Sequence, residues 1–330
     1  MPHPSYTATA VACPNIAFIK YWGNRDDPLR LPSNPSLSMN LAGLETVTTV
    51  EFSERLAEDQ VSIGGQAQTG AARARVTAHL DLIRARAGLA LKAHVVSRNN
   101  FPAGAGIASS ASAFAALSVA GAAAAGLTLF EAELSALARR GSGSAARSVP
   151  GGFTEWRVGA GDADSFAVSI APPEHWALAD VIAVISKGHK ATGSTEGHAL
   201  ASTSPLQAAR VASAPERLAQ CKAALLARHF ATFAEVVEAD STIMHAVMMT
   251  SQPPLFYWEP ATLALMKAIR EWRAGGLPVC FTIDAGANVH CLCPAEAAPE
   301  VERRVRALGV TEIIAATPGG PARLIDPANV

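Results

Sequence analysis

Asn99-Asn100-Phe101-Pro102-Ala103-Gly104-Ala105-Gly106-Ile107-Ala108-Ser109-Ser110-Ala111 is a run of small residues that leads into a long alanine-rich stretch. Before it, Lys92 to Ser97 alternates as a strand does; within it, Pro102 to Gly106 cannot continue regular structure; after it, Ala111 to Ala125 holds strong helix formers and no proline. The order strand, glycine loop, helix follows. The first N–H groups of a helix lack intrahelical partners and its dipole is positive there, so an anion is favoured, and Gly104 and Gly106 let one approach the backbone. Ser109 and Ser110 add hydroxyls for phosphate oxygens, or for Mg²⁺ riding on them. The competing reading is a tight turn before a buried, small-residue helix. A Walker loop needs a lysine followed by Ser or Thr after its last glycine, and a dinucleotide loop needs three glycines at another spacing; both are absent.

The 330 residues suffice for two domains sharing one cleft, with a boundary expected at Pro172 to Ala179, giving 1–178 and 179–330. Apolar residues make up 49% of the chain and charged residues 17%, and the net charge is −1, so no nucleic-acid or membrane field is implied and the partner should be a small molecule. Met1 to Tyr6 has no basic segment followed by an apolar run, which points to the cytoplasm. Cys13, Cys221, Cys280, Cys291 and Cys293 are odd in number and form no Cys-x-x-Cys, so they are expected reduced and mostly buried. In His290-Cys291-Leu292-Cys293, strand alternation sends His290 away from both cysteines, and no metal site is expected.

Outward from the glycine loop, three further stretches hold chemistry. Ala10 to Trp22 ends in Lys20-Tyr21-Trp22-Gly23, a lysine that either packs its stem on aromatics at an edge or works in a site. Gly141-Ser142-Gly143-Ser144-Ala145-Ala146-Arg147 puts two serines and one arginine on a glycine-broken backbone, able to hold an oxyanion or merely to form a flexible loop. Val279 to Ile283 is a β-type run delivering Asp284, a turn former or a presented acid, before Ala285-Gly286-Ala287-Asn288. Lys187 to His198 is another hydroxyl-rich loop.

The remaining punctuation gives a strand at Glu45 to Phe52 with Gln60 to Ile63 as its hairpin partner, and a helix from Ala71 to Ala87 stopped by Gly88. A capping box at Thr128 to Glu131 opens a helix that Gly141 ends. Asp180 to Ser186 reads as a central strand. Helical stretches follow at Ser204 to His229, broken by Pro215, then Phe230 to Thr250 and Glu259 to Ala274. The second half then runs strand, several helices, two strands, helix, strand, so the class is an α+β sandwich rather than a doubly wound sheet.

Pro102, Gly106, Ile107 and Ser109-Ser110-Ala111 resemble the ATP motif of the GHMP small-molecule kinases. Together with Asn15-Ile-Ala-Phe-Ile-Lys20-Tyr-Trp-Gly, the Gly141 to Ser148 run and Phe281-Thr-Ile-Asp284-Ala-Gly-Ala-Asn288, the chain resembles the diphosphomevalonate decarboxylases of that superfamily. The resemblance implies the GHMP fold, with a ribosomal-S5-like N-terminal domain, a ferredoxin-like C-terminal domain and the site between them, in a homodimer. It implies ATP and Mg²⁺, phosphorylation of the 3-hydroxyl of a 5-phosphorylated mevalonate, and loss of phosphate and CO₂. A GHMP kinase that stops after phosphorylation is the neighbouring reading.

The resemblance also implies roles. Asp284 is the base or orienter, Lys20 its cation, and Arg147 the fork on the substrate carboxylate with Asn15 beside it. Tyr21, Ser142, Ser144 and His198 line the substrate. Pro102, Gly104, Gly106, Ser109, Ser110 and Ser194 serve ATP. Two departures stand out. Asn24 replaces the lysine that commonly follows Tyr-Trp-Gly, which opens a 5-monophosphate substrate, and His198 replaces a methionine, where protonation at low pH could restore a positive charge.

Overall fold

The computed structural model describes residues 6–101, 109–188 and 193–326. Strands β1 (Thr7–Ala12), β2 (Asn15–Ile19), β3 (Asn24–Asp26), β4 (Leu31–Pro32), β5 (Ser36–Ala42), β6 (Thr46–Ser53), β7 (Gln60–Ile63) and β8 (Gln66–Ala67) precede helix α1 (Gly70–Ala87). Strand β9 (Lys92–Asn99) is followed by α2 (Ser109–Ala124), α3 (Glu131–Gly141), a 3₁₀ turn (Gly143–Ser148), β10 (Phe153–Trp156) and β11 (Ala167–Ala171). Then come β12 (Leu178–Ala183), α4 (Ser194–Leu200), α5 (Gln207–Leu226), α6 (Phe230–Thr250), α7 (Pro260–Ala274), β13 (Cys280–Thr282), β14 (Val289–Pro294), α8 (Ala298–Ala307), β15 (Ile313–Pro318) and β16 (Arg323–Ile325).

One sheet has the order β16-β1-β6-β9-β7-β8, and Val50, Phe52 and Val95 on its inner face pack against Leu80 and Ile83 of α1 and the alanines of α2. Small residues along α2 let it lie close to the strands. The other sheet runs β11-β10-β5-β15-β12-β14-β13, with β2 also on β5. Its central strand β12 is buried along its whole length because helices cover both faces. Leu178 and Ile182 face α5 and α6, while Ala179, Val181 and Ala183 face α7 and α8. Phe18 meets Phe233 edge to face at 4.9 Å in the first of these layers, each ring contributing about 1.5–3 kcal/mol by burial. Pairings cross residue 178: β15 joins β5, and β16 returns to β1.

Three local expectations are corrected. Gln60–Ile63 is not a hairpin partner of β6; β9 lies between them and β7 runs parallel to it, because β6 already has both edges filled by β1 and β9. The helix expected from a Thr128–Glu131 box begins at Glu131, and Glu133 accepts the Phe130 N–H at 2.8 Å, so the acid does its capping two residues later. Pro215 does not break α5. It is exposed, and Ser213 and Arg217 bond the carbonyls of Ala209 and Arg210, one and two turns back, on either side of it.

The helix after Thr69 does stop at Gly88, which takes φ 62°. All five cysteines are buried and free. His290 turns away from Cys291 and Cys293 and meets the buried Asp180 at 2.7 Å, a pair that periodicity gave no hint of. Among the described residues no helix is long and apolar enough to cross a membrane.

Candidate active site

Lys20 follows directly on β2, and its chain is held from three sides. Asp240 of α6 accepts the Lys20 N–H at 2.6 Å, while Arg210 of α5 and Asn34 donate to the Lys20 carbonyl at 2.7 and 2.9 Å. Asp240 is itself fixed by Arg217 at 2.7 Å. Each oxygen of this buried carboxylate thus has a donor. The side chain then has one direction left, and its ammonium reaches Asp284 at 2.5 Å.

Asp284 sits past β13, on the residue after Ile283. Ser241 and His245, one turn apart on α6, hold the Ile283 peptide: its N–H donates to Ser241 at 2.9 Å, and its carbonyl lies 3.3 Å from His245 Nε2. One helix therefore clamps both partners of the ion pair. Lys20 is 1% exposed and the Asp284 carboxylate 29%, so the acid faces the open side and the base of the site is dry. Burial pulls the Lys20 pKa down and Asp284 opposes it. Asp284 is thus the more open half of the pair, while its own carbonyl accepts the Gly286 N–H at 2.7 Å in the turn that follows.

Arg147, in the 3₁₀ turn, donates from Nη1 to Ser36 at 2.6 Å and from Nε to the Asn15 carbonyl oxygen at 3.3 Å, leaving Nη2 without a partner among the described residues. Burial lowers its pKa to about 10, against the pull of Asp284 and Tyr21, and it stays a cation at neutral pH. Asn15 spends its amide N–H groups on the Ser144 carbonyl and the Ser148 hydroxyl, at 3.1 and 2.8 Å, so it orients Arg147. Ser142 caps α3 and lies 3.3 Å from Ser110 at the start of α2, while Ser144 is partly open. Gly143 touches Tyr21, and a Cβ there would fall 2.5 Å from the ring. Ser194 is exposed at the start of α4. Pro102, Gly104 and Gly106 lie outside the described residues.

His198 corrects its expectation. The half-buried ring stacks on Tyr21 with centroids 4.1 Å apart, and its Nδ1 accepts the Gly23 N–H at 2.9 Å. A backbone N–H can only donate, so Nδ1 carries no proton. Burial, with Arg30, Arg210 and Arg147 nearby, pushes the pKa down to about 3, and His198 is no cation at pH 6. His79 and His245 are likewise pushed by burial to about 3.

The sign follows from linkage. These rings stay neutral in the folded chain while unfolded ones protonate near pH 6.5, so stability is complete above that value and is lost as pH falls toward 3. We expect the unfolding free energy from urea titrations to fall between pH 7.5 and pH 5, by up to about 1.4 kcal/mol per pH unit for each fully buried ring. A flat free energy across that range would count against neutral burial.

Sequence reading did not find Asp240, Arg210, Ser241, His245 or Asn34. The single available signal was polarity out of place: Asp240 and His245 interrupt the apolar face of a long helix.

The Diphosphomevalonate decarboxylase-like N-terminal domain model matches residues 12–167, and the Mevalonate 5-diphosphate decarboxylase C-terminal domain model matches residues 180–314. The Diphosphomevalonate decarboxylase of Candida albicans is 40% identical over 300 residues, covering 86% of this chain and 83% of that protein. The solved complex of MDDEF with MVAPP, AMPPCP and magnesium superimposes with TM-score 0.92 at 36% identity, covering 97% of this chain and 99% of that one. The mevalonate diphosphate decarboxylase of Staphylococcus aureus gives TM-score 0.92 at 35% identity over 97% and 98% of the two chains. With a lysine, a carboxylate and an arginine drawn together on this fold, and with such relatives over nearly its whole length, the chain belongs to the diphosphomevalonate decarboxylase family.

Proposed function

We propose that the chain carries out ATP-dependent decarboxylation of mevalonate 5-diphosphate to isopentenyl diphosphate, and that residues 1–178 and 179–330 form its two domains. The observation that carries the reading is the Lys20–Asp284 pair, 2.5 Å apart and contributed by the two halves of the chain, with the free nitrogen of a buried Arg147 in the same electrostatic neighbourhood. A homodimer in the cytoplasm remains part of the reading on resemblance alone.

The donor set suits a nucleotide phosphate with Mg²⁺. Ser109 and Ser110 open α2, and the Ser110 and Ser142 hydroxyls approach each other. ATP supplies the phosphoryl group that makes a tertiary hydroxyl able to leave. Asp284 receives or orients the 3-hydroxyl proton, and Lys20, held against it, keeps the carboxylate ionised and faces the charge being transferred. Arg147 takes the substrate carboxylate on its free nitrogen. As the C3–O bond breaks and phosphate leaves, the electron pair of the C1–C2 bond forms the C2=C3 double bond and CO₂ departs.

Asn24 favours a second reading, in which the substrate is the 5-monophosphate. Its side chain accepts the Tyr21 hydroxyl and donates to Asp27 at 2.8 Å, so it offers the pocket no charge. Coupled assays for CO₂ and ADP with each substrate test both readings, and ADP without CO₂ would indicate a kinase. Asn24→Lys should shift the kcat/KM ratio toward the diphosphate by about one charged hydrogen bond, roughly tenfold, equally at pH 6 and pH 8 because His198 is neutral at both. A ratio unmoved by Asn24→Lys, with the diphosphate preferred throughout, removes the monophosphate reading.

A further inference from the structure

We propose that Arg30 binds the phosphate end of the substrate, reaching in from the turn between β3 and β4 to the end of α3 beside Ser142. The inference rests on the site reading above and adds to it a residue that none of the sequence motifs contains.

The backbone gives the first reason. Arg30 has φ 51°, and among the described residues only one other non-glycine residue, Arg228 at the end of α5, has a positive φ. Asparagine and glycine adopt this conformation easily, whereas an arginine does so against its own Cβ. A long cation kept at a strained position points to a task for its side chain.

The side chain gives the second. Nε donates to the Arg140 carbonyl at 3.1 Å, which fixes the plane of the guanidinium, and both terminal nitrogens lack partners among the described residues. Arg75 arrives from α1 and donates to the next carbonyl, Gly141, at 2.9 Å, with its guanidinium 4.6 Å over the Phe114 ring. Two guanidinium groups thus meet at one helix end. Neighbouring Arg139 and Arg140 share the carboxylate of Asp162, but Arg30 and Arg75 pair with no carboxylate among the described residues. The charge of Arg30 acts on Tyr21 and His198 on one side and on Arg75 and His79 on the other, so it stands between the aromatic wall and the α1–α2 layer.

Capping the carbonyls of α3 needs one N–H from each arginine. The remaining fork is what grips a phosphate in two-point fashion. Ser142, next after Gly141, already belongs to the candidate site. Asn24, in β3, has both ends of its amide engaged, and Arg25 beside it donates to the Val158 and Gly159 carbonyls, whereas the terminal nitrogens of Arg30 are uncommitted.

Arg30→Asn is the test, since asparagine suits the backbone angle and the variant should fold. Isothermal titration with inorganic pyrophosphate and with mevalonate 5-diphosphate should show Kd rising tenfold or more. In turnover, KM for the phosphorylated substrate should rise similarly while KM for ATP and kcat stay within twofold. Pyrophosphate binding and substrate KM within twofold of wild type would overturn the inference, and a lowered melting temperature with both unchanged would make Arg30 only a cap of α3. A wild type that binds pyrophosphate through Arg30 yet releases no CO₂ would sink the decarboxylase reading while leaving the inference standing.

Discussion

Asp284→Asn should lower turnover by about 10² or more while leaving the fold and ATP binding in place. Asparagine keeps the shape and can still accept from Lys20 through its oxygen, so the Ile283 peptide held by Ser241 and His245 has no reason to move. What is lost is the negative charge. Lys20 is buried, and Asp284 is the chief influence holding its pKa up against desolvation, so removing the carboxylate also drives the ammonium toward its neutral form. One substitution then takes away both the proton acceptor and much of its cationic partner. The measurement is single-turnover CO₂ release beside a thermal melt. Near-normal release with a normal melt would make Asp284 a turn residue closing β13.

Arg147→Lys is the second large effect, although it conserves charge. The guanidinium serves Ser36 and Asn15 with two nitrogens and keeps a third free. A lysine has one nitrogen on a flexible stem and cannot occupy all three directions, so either Asn15 or Ser36 is left unpaired in a dry place or the substrate is. We expect kcat/KM to fall ten- to a hundredfold, the loss of one or two charged hydrogen bonds, and the melting temperature to fall as a buried polar group goes unmet. Unchanged kcat/KM would mean that Arg147 only balances charge and that the carboxylate contact is wrongly assigned.

The residues named from sequence were legible because each breaks a local rule: a lysine between apolar neighbours, an arginine among glycines and serines, an acid at a strand end. The structure brings Lys20, Arg147 and Asp284 into one electrostatic neighbourhood. The clamps were not legible, because Asp240 and Lys20 are 220 positions apart and nothing in a helical period says which polar residue on α6 will meet which strand end. Strand pairing failed for the same reason at β7: local alternation predicts a strand but not its neighbour, and nearness in sequence favoured the wrong one. His198 was misjudged because its protonation depends on a stack and on one backbone N–H, neither of which leaves a mark on composition.

The return of β16 to β1 bears on how the chain is made. Thr9 pairs with Ile325 and Val11 with Arg323, so the edge of β1 waits for a strand some three hundred residues further along the chain. Until then β1 presents open N–H and C=O groups on that side, with β6 as its only neighbour in the sheet, and β5 likewise lacks β15. Closing contacts separated by some three hundred residues is slow, and the growing chain carries its sticky edges until those strands have been made. Nascent chains stalled before residue 313 should therefore depend most on chaperones, and chains extended past residue 325 should seal both sheets nearly together.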